Sequence, residues 1–270
     1  MSGERRDRWA ALDDAEAVAQ AAHRLRQLGA LPSEQAARAR FLDLLAPRPG
    51  ERVLDVGAGI GQLTLEIARR VSPGGEVTAL DPSRGLLAIA REQADASGLG
   101  DRISVEVGDA RALPQADGTF DIALCHWVLL HVDPPEAVVE EMVRVLRPGG
   151  RILCVEVDWE TLTLHPGDRE VTRGIVQANV DRQVDGQMGR KLVPLFRRAG
   201  LTRVQVEPLV AIDTEGAWLG LVESRVSNAV DAGRVSATDA ARWWAALQEA
   251  VPEGDYFLSL TQFAVLGAKP

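Results

Sequence analysis

The chain is poor in cysteine, with two in 270 residues, and holds only two lysines and one tyrosine. Cys125 and Cys154 both lie in apolar stretches, so they read as reduced core thiols rather than a disulfide framework. No apolar run approaches the roughly 18 residues that a membrane span requires. Internal repeats and low-complexity tracts are absent. Net charge is −9, from 39 acidic and 30 basic side chains, with no long Lys/Arg cluster to offset it. That charge repels phosphate backbones and anionic bilayers, so neither nucleic acid nor membrane is an expected partner. The opening MSGERRDRWAALDDAE is charged and acidic early, unlike a secretory signal or transit peptide. What is present is an ordinary globular composition, 46% hydrophobic and 26% charged. These features predict a cytoplasmic globular protein of one or two domains, long enough to bury a core without disulfide staples.

Residues 1–46 have helical spacing: Leu12, Ala15, Ala19 and Ala22, then Ala37, Phe41, Leu44 and Leu45. Gly29 and Pro32 are expected to separate two helices, with Ser33 capping the second. After Pro47-Arg48-Pro49-Gly50 the pattern changes. Short apolar runs at 52–56, 76–80, 103–107, 120–125 and 151–157 alternate with helical stretches, the signature of a parallel sheet covered on both faces. The helix after the fourth run is expected to be capped by Asp133, to start at Pro134 and to end at Pro148-Gly149-Gly150. Residues 159–188 read as irregular and helical. A helix is predicted at 189–199, a strand at 202–210, helix over 214–251 and a last strand near 256–267.

The most informative segment is Val53-Leu54-Asp55-Val56-Gly57-Ala58-Gly59-Ile60-Gly61-Gln62. A strand enters a glycine-rich turn and leaves as a helix, whose N-terminus favours polar or anionic groups. Asp81 ends the next strand, where a carboxylate can accept both ribose hydroxyls of an adenosine. Gly108-Asp109-Ala110 follows the third strand, where a carboxylate suits an adenine amino group. Taken singly, each Asp is a plain turn or cap residue. Together, at successive strand ends, they mark the edge where open α/β sheets bind ligands. A dinucleotide fingerprint would need glycine at 62, where Gln62 stands, so an NAD-dependent oxidoreductase is disfavoured. Asp55 is awkward beside a pyrophosphate and suits a cationic cofactor.

The segments VLDVGAGIGQLT, VTALDPS, VEVGDARALP, FDIALCHWVLLHVDPPEAVVEEMVRVLRPGGRI and LTQFAVLGAKP resemble the class I S-adenosylmethionine-dependent methyltransferases. The likeness is to the small-molecule branch that includes the ubiquinone/menaquinone-type C-methyltransferases. It is strong over residues 35–158. It implies an α/β fold with a doubly wound, seven-stranded, mostly parallel sheet whose last strand runs antiparallel. It implies an N-terminal helical lid over 1–46, and a cofactor domain over 47–270 with cap segments 159–188 and 211–254. S-adenosyl-L-methionine would be held by Asp55, Gly57, Ala58 and Gly59 on its methionine part. Asp81 would take the ribose, Pro82 and Leu86 the adenine faces, and Asp109 with Ala110 its amino edge. Cys125 and His126 would face the methionine amino group and the reaction centre. Cys125-His126-Trp127-Val128 replaces the Asn/Asp-Pro-Pro-aromatic motif of amino-nitrogen methyltransferases, and two cysteines are too few for arsenite methylation.

The expected reaction is therefore methyl transfer to carbon or oxygen of a small, apolar metabolite, with no metal. The same motifs would serve a protein that keeps the cofactor for a non-methylating step such as cyclisation. Arg outnumbers Lys 28 to 2, a composition associated with high-GC genomes, where tailoring enzymes of secondary metabolism are common. His131 and His126 are the candidate general bases, since imidazole titrates near neutrality. Asp158 and His165 are also expected near the mouth, while Glu156 and Asp158 alternate along the fifth strand. Of Trp159, Trp218, Trp243 and Trp244, Trp159 is the candidate substrate contact.

Overall fold

The computed structural model describes residue 12 and residues 14–270; the remainder of the expected lid, 1–11 and 13, lies outside the described residues. Seven strands form one sheet: β1 (Arg52–Val56), β2 (Glu76–Asp81), β3 (Ile103–Val107), β4 (Phe120–His126), β5 (Leu146–His165), β6 (Thr202–Asp213) and β7 (Phe257–Ala268). Their order is β3-β2-β1-β4-β5-β7-β6. The first five are mutually parallel, and β7 runs antiparallel between β5 and β6. From β1 the chain winds outward to β2 and β3, then returns to β4 on the other side. The adjacent C-terminal ends of β1 and β4 are thus the switch point where a crevice opens.

Strand alternation assigns each residue to a face. Val53, Ile122 and Leu124 pack with Phe41, Leu42 and Leu45 of α2 (Pro32–Leu45) and with Ile67 and Val71 of α3 (Gln62–Val71). Leu54, Ala123 and Cys125 pack on the opposite face, with Val138 and Met142 of α5 (Pro135–Val145) and Leu192 and Phe196 of α7 (Met188–Arg198). α4 (Arg84–Ala96) covers β2 and β3. Above the C-terminal edge lie α1 (Ala15–Ala30), α6 (Arg169–Arg182) and α8 (Leu219–Asp231), with α9 (Ala237–Glu253) behind. None of the described helices is long and apolar enough to cross a membrane.

Several boundaries differ from the sequence expectation. Gly29 lies inside α1, and only Leu31 separates the first two helices. Leu31 is extended and forms the N-cap, so Ser33 caps nothing; a residue before proline is driven out of the helical region. The Ser33 hydroxyl instead accepts from Trp218 Nε1 at 3.1 Å, tying α2 to the start of α8. The same rule corrects the start of α5. Pro134 precedes Pro135, so it is extended (φ −79°, ψ 140°) and is itself the N-cap, displacing Asp133. That helix ends at Val145 rather than at Pro148, because Leu146 already pairs with Phe120 in the sheet. At its far end β5 continues past 157 to His165, with a register shift between Asp158 and Thr163. Beyond the shift Leu162 and Leu164 point inward while Thr163 and His165 point out, the period-2 pattern of a strand, and the shift lets Asp158 and Trp159 both be buried.

Candidate active site

The loop after β1 is built from three left-handed glycines, Gly57 (φ 71°), Gly59 (φ 55°) and Gly61 (φ 79°). The Gly57 and Ala58 amides both donate to Leu80 O, at 2.7 and 3.0 Å, which pins the loop to the end of β2. A Cβ on Gly57 would lie 2.3 Å from Val128 Cγ2, so the loops after β1 and β4 touch. Asp81 organises the turn: its carboxylate accepts from Gly59 N at 2.9 Å and Ser83 N at 2.8 Å. The Ser83 hydroxyl in turn accepts from Leu86 N at 3.2 Å, capping α4.

Below this loop is a recess of about 110 Å³ lined by Glu34, Arg38, Asp55, Gly57, Ala58, Gly59 and His126. Asp55 is buried and accepts from Thr64 Oγ1 at 2.6 Å. Burial pushes its carboxyl up to about 7; the Thr64 bond opposes this and the nearby Asp81 charge adds to it. Glu34, carried by α2, is pushed up to about 7 by burial against the opposing effects of Gln262 and Arg38. The Gln262 side chain on β7 joins the parts: its Nε2 donates to Glu34 Oε1 at 3.1 Å and its Oε1 accepts from Trp127 Nε1 at 2.9 Å. His126 Nε2 lies 3.3 Å from the same oxygen. Two buried carboxyls line the recess with Arg38, whose guanidinium is already paired with Glu66 at 3.0 Å and donates to Gly29 O at 2.8 Å, so the lining suits an amino acid moiety with surplus positive charge, which is the chemistry of a sulfonium cofactor.

The recess opens into a cavity of about 560 Å³ at the switch point. One side carries Asp81, Pro82, Leu86, Asp109 and Ala110, with Leu25 and Leu28 of α1 facing them. Asp109 is engaged by Arg111, at 2.7 Å, and this hydrogen bonding holds its carboxyl below the usual range. The centre carries Trp127, His126, His131 and Trp159; the far wall carries Arg182 from the end of α6 and Ser224, Arg225 and Asn228 from α8. Another depression, about 610 Å³, lies at the opposite ends of β2 and β3 between Glu76, Arg102 and Ser104, away from the glycine loop.

Of the expected cofactor residues, Cys125 departs from its expected place. Alternation turns its thiol into the core beside Cys154, its register partner on β5, and it lines neither recess nor cavity. Contact with Cys154, and then burial, hold that thiol well above its ordinary range. His165 is also elsewhere, exposed and 3.5 Å from Asp255. Trp218 and Trp243 are core residues with their indole N–H groups bonded to Ser33 and Thr172. Asp158 is buried against Arg190 of α7, at 2.9 Å from Nη2, and serves the roof.

Glu156, by contrast, shapes the site. Trp127 adopts a left-handed conformation (φ 57°) directly after β4, and its amide donates to Val155 O at 2.9 Å. Glu156 Oε1 then accepts from Val128 N at 2.8 Å and Leu129 N at 2.6 Å, capping the single 3₁₀ turn Leu129–His131. Burial pushes the Glu156 carboxyl up to about 8, against the backbone bonds. His126 is driven the other way, down to about 4, by burial; the Gln262 contact opposes this and the Arg38 charge reinforces it. It is therefore neutral throughout the neutral range. Glu34, Arg38, Trp127, Gln262 and Arg225 were not anticipated from sequence. The available signal was Glu34 and Arg38, two charges four apart on the same face as Ala37 and Phe41.

A family model described as a methyltransferase domain matches residues 53–150. The chain is 40% identical over 116 residues to the ubiquinone/menaquinone biosynthesis C-methyltransferase of Cereibacter sphaeroides, covering 43% of this chain and 46% of that protein. The match thus spans less than half of that relative's length. It is 30% identical over 189 residues to the demethylmenaquinone methyltransferase of Bacillus cytotoxicus, covering 63% of this chain and 78% of that one. Among solved structures, the [4+2]-cyclase SpnF is similar at 26% identity and a TM-score of 0.57, over 90% of this chain and 84% of that chain.

Proposed function

The chain belongs to the class I S-adenosylmethionine-dependent methyltransferases, and from that premise we propose that it methylates a carbon or oxygen atom of a small acceptor. The observation that carries this reading is the continuity of the cavity, which runs from the glycine loop past Trp127 and His131 to Trp159 and the α8 wall. The cofactor supplies a methyl group already activated on a sulfonium. What remains for the protein is alignment, exclusion of water and removal of one proton. Asp55, Gly57, Ala58, Gly59, Asp81, Pro82, Leu86, Asp109 and Ala110 are assigned to the cofactor, with Glu34 and Arg38 added at its methionine end. Trp159 is assigned to the acceptor. Of the expected lid, α1 closes the cavity from above, through Leu25 and Leu28, whereas α2 packs on the sheet face as part of the core.

His131 is the proposed general base. His126, neutral down to about pH 4, accounts for no rise in rate between pH 6 and 9. Loss of His131 is expected to lower the rate about 10²–10⁴-fold at saturating cofactor and to flatten the profile over that range. A His131→Ala variant with the wild-type rate and profile removes the assignment.

Asp81→Ala is expected to weaken S-adenosylmethionine binding by about 1.5–3 kcal/mol, the scale of hydrogen bonds to a charged partner. Calorimetry measures it, with NAD as the control ligand for which no binding is expected. The reaction itself is tested by incubating the protein with methyl-labelled cofactor and a panel of phenols, quinols and enols. Label in the acceptor with equal S-adenosylhomocysteine supports methyl transfer. A second reading, use of the bound cofactor in a non-methylating cyclisation, is favoured by the likeness to the [4+2]-cyclase along nearly the whole chain. It requires product formation with the cofactor unconsumed.

A further inference from the structure

Gln262 is 3% exposed in the middle of β7, where its register partners, Val157 on β5 and Leu209 on β6, are apolar. An amide in such a place costs free energy unless its polar atoms are met. The groups that meet them, Glu34, Trp127 and His126, all line the recess below the glycine loop. Their chemistry fixes which way the amide points. An indole N–H can only donate, so the Gln262 atom facing Trp127 is the oxygen. An ionised carboxylate can only accept, so the atom facing Glu34 is the nitrogen. The two assignments agree. His126 Nε2 lies 3.3 Å from that same oxygen, and an acceptor there calls for a proton on Nε2. The imidazole is neutral above about pH 4, so its Nδ1 is then bare, able to accept and unable to donate. Phe41 and Trp127 hem the ring edge-on, with centres 5.2 and 5.5 Å from it.

We propose that Gln262 is a positioning residue for the methionine end of the cofactor. Through one amide it holds the Glu34 carboxylate, the Trp127 indole and the His126 Nε2 proton in a single arrangement, so the polar wall of the recess is set before the cofactor arrives. Gln262 itself lines neither recess nor cavity, so it acts through these three side chains. The proposal rests on the recess holding the amino acid part of S-adenosylmethionine. Loss of the amide then loosens that end alone. The adenosine end keeps its own supports, Asp81 on the Gly59 amide and Asp109 on Arg111.

The test titrates the full chain with two ligands that share the adenosine and the sulfur, S-adenosylhomocysteine and 5′-methylthioadenosine; the second lacks the amino acid. Gln262→Met keeps the length of the side chain and deletes both polar atoms. It is expected to weaken S-adenosylhomocysteine about tenfold or more, while methylthioadenosine stays within about twofold. A purely structural loss would move both ligands alike. In a Glu34→Gln background the same substitution is expected to cost several-fold less, because part of its effect runs through Glu34. Nitrogen-15 NMR of the wild-type imidazoles at pH 7.5, with His126 assigned by its absence in His126→Asn, is expected to show the Nε2–H tautomer. Gln262→Met is expected to show a mixture of tautomers. Thermal melts establish that each variant is folded, and the wild-type spectrum reads the tautomer whether or not Gln262→Met folds. Equal losses for the two ligands overturn the proposal, as does an undiminished cost in the Glu34→Gln background or a wild-type His126 protonated on Nδ1. The cofactor reading fails by a different result, absence of binding of both ligands to the wild type.

Discussion

Raising the pH from 6 to 7.5 is expected to tighten S-adenosylmethionine binding by about eightfold for each of Asp55 and Glu34 that ionises on binding. Both carboxyls are raised to about 7 by burial, so near neutrality each is about half protonated. A cationic ligand in the recess beside them favours the carboxylate, and binding then expels the proton. The sign follows: at pH 6 that proton must be removed at a cost, and by pH 7.5 most of it has already left. Near pH 7 the two groups together should release about one proton per cofactor bound. Calorimetry in two buffers of different ionisation enthalpy reads that number directly. S-adenosylhomocysteine lacks the sulfonium charge and should show a shallower dependence on pH. Asp55→Asn keeps an acceptor for Thr64 and should remove the share due to Asp55, with weaker binding at pH 7.5. An affinity independent of pH and buffer would mean that these carboxyls do not face the cation.

That Asp55, Gly57, Gly59 and Asp81 would line one site could be read from sequence, because their placement depends on local turn chemistry at strand ends. The sheet was legible for a similar reason, since its apolar runs alternate with helices at short range. The connection of α2 to the site was not. Glu34 and Gln262 are 228 residues apart, and they meet only because β7 inserts between β5 and β6. Arg225 and Trp159 are likewise brought together by the packing of α8 over the end of β5. Cys125 is a different case, because the sequence held the answer. Neighbouring residues on a strand point to opposite faces, so Cys125 and His126 could not both face the cofactor. Cys125 shares the face of Ala123 and is buried with it. Trp127 gave no sign of its left-handed backbone, a conformation rare outside glycine and imposed by the tertiary fit of the loop.

Removing the Glu156 carboxyl is expected to be the most damaging single change outside the cofactor loop. Glu156→Ala leaves the Val128 and Leu129 amides without their acceptor, and Leu129 is fully buried. At about 1–3 kcal/mol for each stranded donor, the loss at pH 5, where the carboxyl is protonated, is about 2–6 kcal/mol. In a chain of this size that is a fall of roughly 5–20 °C in Tm. Turnover should fall further than stability implies, because the freed turn carries His131 and a displacement of about 1 Å can cost about 10² in rate. Glu156→Gln separates the two effects. The amide oxygen can accept both bonds, so at pH 5, where the wild-type carboxyl is protonated, the variant should melt within about 1 kcal/mol of wild type. Above that the curves diverge. The unfolded chain loses this proton above its ordinary value of 4.5, whereas the folded protein holds it to about 8. Wild-type stability therefore drops by about 1.4 kcal/mol for each pH unit across that window and levels off beyond it. The Gln variant has no such group, so its advantage should grow at that slope from pH 5 to 8 while its turnover at pH 7 stays near wild type. Parallel melting curves would mean that Glu156 is ionised in the folded protein. Wild-type turnover in Glu156→Ala would mean that the 127–131 loop holds its shape without it.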